Sequence, residues 1–358
     1  MSAAQATIDL DDVEGLLAAD REGLLRAASM AGAQMRTMAA ALDEGVLEPL
    51  RSDQPPRTVV WVATRGAAEA AGAMLAAALG GSTGAPIVVA SEVPPWIGAL
   101  DVMIVAGDDP ADPVLVSAAA TGIRRGARVV VVAPDEGPLR EVAAGRAAVV
   151  LAPRLLVSDE FALVRYLSAG LAALQVVDSG MSVDLAVLAD ALDAEALRNS
   201  AGRELFTNPA KALAERLSGR DVVLAGGNAA SVALARHVGA ILLRVAQQPV
   251  AAVGLADALV ALRRGLASSS TEYESSIFHD EEIDGPQPAR VRTVVFATDE
   301  ERPGIVATLS GYDDVEVVSA DDVPDLVTPR PSGRPEQQLV MLAVRLEMAA
   351  AYLRLVRG

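Results

Sequence analysis

Residues 102–120 read VMIVAGDDPADPVLVSAAA. An apolar run from Val102 to Ala106 stops at Gly107, and a segment of helical composition starts near Pro113. Strand, glycine and helix in that order form the repeating unit of α/β proteins, and the start of such a helix offers free backbone N–H groups to a phosphate. Here the turn carries Asp108, Asp109 and Asp112. Carboxylates complement the positive end of a helix and cap it, but they repel an anion placed on the same N–H groups. At ~4 Å two like charges cost about 1 kcal/mol in water, and several times more when partly buried. The turn therefore reads as a capped helix start. The other reading is a divalent cation bridging these carboxylates to a ligand phosphate.

On either side of this turn the same rhythm continues. TVVWVA (58–63), PIVVA (86–90), ARVVVVAP (127–134) and AAVVLAP (147–153) are short runs of strand composition. AAEAAGAMLAAAL (67–79), GPLREVAAG (137–145) and SDEFALVRYLSAGLAAL (158–174) are helical, the last with Ser158 as its expected N-cap and Glu160 and Phe161 in its first turn. Continuous Val/Ile runs separated by helices indicate a parallel sheet covered on both faces. The rhythm restarts at VVLAGGNAASVALARHVGAILLRVA (222–246), followed by strand runs at 249–254, 292–298 and 314–319 and a terminal helix at 337–356. Residues 10–47 read as helix with a break near Asp20.

The expected fold is thus α/β, with two doubly wound parallel-sheet subdomains related by an internal repeat and facing each other across a cleft. Residues 1–180 form a helical segment plus the first subdomain, 181–218 a helical connection, and 219–358 the second subdomain with its terminal helix.

Composition narrows the function. The 358 residues carry 30 Lys plus Arg against 47 Asp plus Glu, a net charge of −17. That sign argues against the basic footprint of a nucleic-acid binder, though a local pocket can still take a small anionic ligand. Only 3% of residues are aromatic, too few for the stacking platforms of a single-strand binder. No cysteine is present, so disulfides and thiolate metal sites are excluded, and two histidines make a polyhistidine site unexpected. Residues 70–91 carry no charge, but GGSTGAP (80–86) divides them into a helix half and a strand half, so no membrane span is expected. With Asp9, Asp11 and Asp12 near the start, nothing resembles a signal peptide, and a cytoplasmic protein is expected.

ARVVVVAPDEGPLREVAAGRAAVVLAP (127–153) followed by FALVRYLSAGLAAL (161–174), NPAKALAERLSGRDVVLAGGNAASVALARHVG (208–239), FHDEEIDG (278–285) and the terminal LEMAAAYLRLVRG (346–358) occur in an order and spacing that resemble the sugar isomerase (SIS) family. The chain looks most like bifunctional phosphoglucose/phosphomannose isomerases and their TobH-like relatives. The resemblance implies two SIS subdomains and aldose–ketose isomerisation of a hexose phosphate. In that family Ser/Thr loops after the first and third strands hold the phosphate, a glutamate shuttles the proton and a histidine helps open the ring.

By that resemblance, Thr64, Arg65 and Gly66 in the first-strand loop are candidate phosphate contacts; the plainer reading is a tight turn with a cap. Gly226, Gly227 and Asn228 are the corresponding candidates in the second half. The run Ser268, Ser269, Ser270 can cup an anion or form a plain loop. His279 is the candidate ring-opening histidine, with Glu281 and Glu282 as neighbouring carboxylates; a solvated acidic loop is the alternative. Where the catalytic glutamate is expected stand Leu242, Leu243 and Arg244, and the family's lysine beyond the terminal helix is missing. Lys211 is the sole lysine.

These departures point to a sugar-phosphate-binding relative with little or no turnover. The alternative is an active hexose phosphate isomerase with a rebuilt site. No resident metal or cofactor is expected. The nearly all-round apolar segment ASVALARHVGAILL (230–243), with the family's habit of association, leads to an expected homodimer.

Overall fold

The computed structural model describes residues 8–145, 148–266, 291–321 and 333–357. Both expected sheets are present, and every strand pairing in them is parallel. The first has the order β2-β1-β3-β4-β5, with β1 Thr58–Val62, β2 Ile87–Ala90, β3 Asp101–Ala106, β4 Arg128–Val132 and β5 Val149–Val150. The second has the order β7-β6-β8-β9, with β6 Asp221–Gly226, β7 Ala251–Gly254, β8 Val291–Phe296 and β9 Val315–Val318. All of β1 and β3 is buried, which explains why these strands read as unbroken apolar runs rather than alternating ones.

Alternate residues of each strand serve different layers. Val60, Val62, Met103 and Val105 face an outer cluster with the helices α5 (Pro113–Arg124) and α6 (Gly137–Ala143). Val59, Trp61, Ile104 and Val130 face inward. The inward side meets α4 (Gly66–Leu79) and α7 (Leu163–Val177), and beyond them α10 (Ala229–Arg244), which packs directly on α4. Residues Leu224, Val294, Phe296 and Val318 of the second sheet join this same apolar cluster. The space between the sheets is therefore filled largely by packed helices, as expected of sheets covered on both faces. The outer side of the second sheet is covered by α11 (Leu255–Arg263) and α12 (Arg302–Leu309).

Trp61 shows how tightly the inner layer closes. Its indole N–H donates to the carbonyl of Ala68 at 2.9 Å. A Cβ on Gly72 would lie 2.3 Å from the ring, so only glycine admits the indole beside α4.

Two local expectations are corrected. The helical region at 10–47 divides into α1 (Val13–Ala19), α2 (Leu24–Ser29) and α3 (Ala31–Asp43). The first break falls at Asp20, as expected, because its carboxylate accepts from the N–H groups of Leu24 and Leu25 while Gly23 adopts φ +70°. The second break, at Met30, has no marker in the sequence. Ser158 precedes a short 3₁₀ turn, Asp159–Phe161, without a capping bond, and α7 starts only at Leu163.

The stretch between the two sheets forms α8 (Leu185–Arg198) and α9 (Pro209–Leu217), which pack on the long terminal helix α13 (Pro335–Arg357). A buried polar network holds them together. Arg345 of α13 donates from Nε to Glu195 of α8 at 2.7 Å and from its Nη atoms to the carbonyls of Ser319 and Ala320 at 2.9 and 2.6 Å. Glu195 also accepts from Arg198 and Asn199, and the Tyr352 hydroxyl donates to the Asn199 carbonyl at 2.7 Å. His237 of α10 meets Glu347 of α13 at 2.8 Å, both buried. Lys211 is fully buried, and its ammonium donates to the carbonyls of Ala201 and Arg203 at 2.9 and 2.7 Å. Helix α10 is apolar nearly all round because α4, α13, β6 and β7 surround it within the chain.

The opening turn is resolved in favour of capping, residue by residue. Asp112 caps α5, accepting from the N–H of Val114 at 2.8 Å, and its second oxygen accepts from the Thr64 hydroxyl at 2.8 Å. Asp109 closes the turn by accepting from Ala111. Asp108 pairs with Arg65 at 3.1 Å. Among the described residues no group of three or more ligating side chains is placed to hold a metal.

Two outcomes follow for stability. Replacing Asp112 with alanine removes the α5 cap and should cost ~0.5–2 kcal/mol in urea denaturation. Thr64→Val, which removes only the cross-loop bond, should cost less. Arg345→Met should cost about 3–5 kcal/mol, because Glu195 stays buried with one ion-pair partner fewer. A loss under about 1 kcal/mol, the range of an exposed pair, would show that the network does not hold α8 to α13. Burial alone would raise the Glu195 carboxyl, but Arg345, Arg198 and Asn199 together hold it below the ordinary glutamate value. The stability this contributes is complete above the unfolded value and is lost as pH falls through the depressed folded one. The slope of stability against pH below about 4.5 should therefore be shallower in Arg345→Met than in the parent chain.

Candidate functional site

The two strand–glycine–helix turns that looked alike in sequence are built differently. In the second half, Asn228 caps α10 through the N–H groups of Ala230 and Ser231, and the Ser231 hydroxyl accepts from the Asn228 N–H, a complete capping box. The Asn228 amide also donates to Glu301 at 2.9 Å. A Cβ on Gly226 would fall 2.3 Å from the Val232 nitrogen, so the chain closes directly onto its own helix. The start of α10 is occupied by its own side chains.

In the first half the corresponding positions are open. The chain leaves β1 through Ala63, Thr64 and Arg65 and enters α4 at Gly66, whose φ of +66° a residue with a side chain adopts only with strain. Arg65 stands at the N-cap in extended conformation and provides no capping bond. The first N–H groups of α4, at Gly66, Ala67 and Ala68, therefore lack the side-chain acceptor that caps α5 and α10. A helix of this length carries a partial positive charge at that end.

These groups line a cavity of about 200 Å³. Arg244, the last residue of α10, enters it from the second half, its Nη1 lying 3.6 Å from the position a Cβ on Gly66 would take. Arg244 is exposed, and among the described residues its guanidinium has no hydrogen bond or ion pair. Arg65 reaches the same cavity but is held by Asp108. Asp159, Glu160 and the buried Tyr166 complete the lining. Arg165 stacks over the Tyr166 ring at 4.6 Å, donates to its hydroxyl at 2.6 Å and lies 3.7 Å from Asp159. Burial pushes the Tyr166 phenol up to about 12, so it stays protonated at neutral pH despite the opposing pull of Arg165. Partial burial raises the Asp159 carboxyl too, aided by the Asp108 and Glu160 charges and opposed by Arg165.

Of the residues expected from sequence, the structure places Arg65 and Gly66 in the lining of this cavity, whereas the Thr64 hydroxyl is turned to Asp112. Gly226, Gly227 and Asn228 lie at the opposite end of α10, whose 16 residues span roughly 24 Å. His279, Glu281 and Glu282, together with Ser268, Ser269 and Ser270, lie outside the described residues. Sequence reasoning gave no binding role to Arg244, Asp159, Glu160 or Tyr166. Arg244 had one available signal: it falls where the family resemblance asks for a base on α10, and a search for a carboxylate there sees only its absence. Asp159 and Glu160 read as ordinary first-turn acids.

Among the described residues the cavity brings together a helix start without a side-chain cap, a guanidinium with no hydrogen bond or ion pair, and the side chains of Asp159 and Glu160. Among the described residues no helix is long and apolar enough to cross a membrane.

No family model matches the sequence, and no curated protein matches it. Solved structures do. A phosphosugar isomerase candidate from Clostridium difficile 630 superposes with a TM-score of 0.65 at 11% identity, covering 94% of this chain and 93% of that one. The tagatose-6-phosphate ketose/aldose isomerase of Escherichia coli gives 0.58 at 15% identity, with 100% and 95% covered. A glucose-6-phosphate isomerase like protein of Thermus thermophilus gives 0.52 at 20%, with 98% and 94% covered. At these identities the likeness is one of fold. It extends over nearly the whole of each chain, and the two parallel sheets described above are the fold that these phosphosugar isomerase structures share, in agreement with the SIS resemblance seen in the sequence.

Proposed function

We propose that this chain is a sugar-phosphate-binding protein with little or no isomerase turnover, acting as a cytoplasmic homodimer. The observation that carries the reading is Arg244. It stands on α10 where the SIS resemblance asks for the proton-shuttling glutamate, and it points its guanidinium at the open start of α4. A guanidinium cannot act as a base near neutral pH, whereas it is well suited to hold a phosphate. Aldose–ketose isomerisation needs a base beside the two carbons that exchange the proton. With a cation in that position the pocket favours retention of an anion over proton transfer from the sugar. Residues Gly66, Ala67 and Ala68 supply N–H donors, and Arg65 is neutralised by Asp108.

The resemblance of fold to proteins described as acting on glucose 6-phosphate and tagatose 6-phosphate supports the sugar-phosphate class. Dimerisation is supported by the SIS resemblance alone, since α10 is buried within its own chain, and the cytoplasmic setting by the composition of the chain.

Thermal denaturation with glucose, mannose and fructose 6-phosphates tests the reading. Ligand at 100 times its dissociation constant adds ~2.7 kcal/mol to the folded state. At least one sugar phosphate should raise the midpoint, and Arg244→Ala should weaken that ligand by about tenfold or more, in line with losing a charge-assisted hydrogen bond. A coupled assay for interconversion of fructose 6-phosphate with glucose or mannose 6-phosphate should show no turnover approaching the ~1 s⁻¹ lower range of ordinary enzymes. Turnover at that rate, lost in His279→Ala, would establish the rebuilt isomerase instead, with Glu281 or Glu282 as its base. A molecular mass of one chain by light scattering at micromolar concentration would overturn the dimer.

A further inference from the structure

Tyr166 lines the α4 cavity and is almost completely buried. A phenol hydroxyl can both accept and donate, and a buried one normally finds partners. The accepting side is met by Arg165, whose Nη2 donates to it at 2.6 Å. For the donating side the described residues offer no acceptor. Burial pushes this phenol up to about 12, so its proton is present at neutral pH. The hydroxyl lies on the cavity side of the ring, because the Nη2 that reaches it is also 3.7 Å from Oδ1 of Asp159, another lining residue.

We propose that Tyr166 is the residue of this cavity that recognises the sugar, its hydroxyl donating to a hydroxyl oxygen of a ligand whose phosphate lies at Arg244 and the start of α4. The inference rests on the sugar-phosphate reading above and goes beyond it by naming what holds the sugar itself.

A buried donor left without an acceptor is costly, and each such group in a folded chain calls for an explanation. Here the acceptor has to come from the cavity that the ring borders. Two kinds of donor meet in that space from different elements. Arg244 ends α10 and the free N–H groups begin α4, whereas Tyr166 belongs to α7. The first kind is charged or lies at the positive end of a helix, and draws any small anion. The phenol is neutral and adds little to that general attraction, so what it contributes is a preference for an oxygen at one place. The donor is also held still. The Arg165 guanidinium stacks over the ring at 4.6 Å while donating to its hydroxyl, and α7 is buried along nearly its whole length. A group already fixed in place gives up little freedom when a ligand arrives.

The test is Tyr166→Phe, which keeps the ring and its stack with Arg165 and removes only the hydroxyl. Dissociation constants for the full-length parent and variant are measured by calorimetry with glucose, mannose and fructose 6-phosphates. Inorganic phosphate is measured by its displacement of the sugar phosphate that binds most tightly. For that sugar phosphate the variant should be weaker by about three- to tenfold, the range of one neutral hydrogen bond. Inorganic phosphate should bind parent and variant alike. The unfolding midpoint of the variant without ligand checks that it folds. If the sugar phosphate and inorganic phosphate weaken by the same factor, the hydroxyl only supports the shape of the cavity and the inference fails. If the sugar phosphate binds the variant as well as the parent, the inference fails and the sugar-phosphate reading stands. If no sugar phosphate binds the parent, both fail.

Discussion

The structure depends on a guanidinium buried where water cannot solvate it. Arg345 sits in the middle of α13 with essentially no exposure, and each of its polar edges is used: one by Glu195, the others by the carbonyls of Ser319 and Ala320. An arginine so placed is tolerable only if those partners are held in position, so one side chain fixes α8, α13 and the end of β9 relative to one another. Helix α13 in turn contacts α1, α2, α9, α10 and α4. The N-terminal helices, both sheets and the chain between them thus share one interior, organised around a polar knot within an otherwise apolar cluster.

How much of this was readable beforehand depended on the range of the interactions. The strands of both sheets could be read because a strand buried on both faces must be apolar at successive positions, and Val102 to Ala106 or Val129 to Val132 can be little else. The cap at Asp112 was readable because it acts within a few residues. The Arg345–Glu195 pair was not, since its members lie 150 residues apart and nothing near either one names the other. The same applies to the site. Thr64, Arg65 and Gly66 belong to one turn and could be picked out together. Arg244 reaches that turn only because α10 packs on α4, and such a meeting is decided by the shapes of two apolar faces. The apolar face of α10 was itself open to a wrong reading, because burial against one's own chain and burial against a partner demand the same residues.

The two halves also show how a repeated sequence pattern separates into different chemistries. Asn228 and Ser231 spend the donors at the start of α10 on the protein itself. The start of α4 has alanines where such residues would be, and an extended arginine at the cap position. Those few side chains decide which turn is closed and which presents its N–H groups outward. A fold-level resemblance cannot distinguish them, because both turns satisfy it equally well.

The interior also governs how this protein behaves towards reagents. The sole lysine of the sequence, Lys211, has its ammonium sealed beneath two backbone carbonyls and the ring of Tyr352. The folded chain therefore offers no side-chain amine to acylating dyes, aldehydes or amine-directed crosslinkers, in spite of an abundantly charged exterior. Modification at Lys211 requires the loop between α8 and α9 to open. Its rate of labelling would count openings of that loop, giving the protein a built-in clock for its own local unfolding.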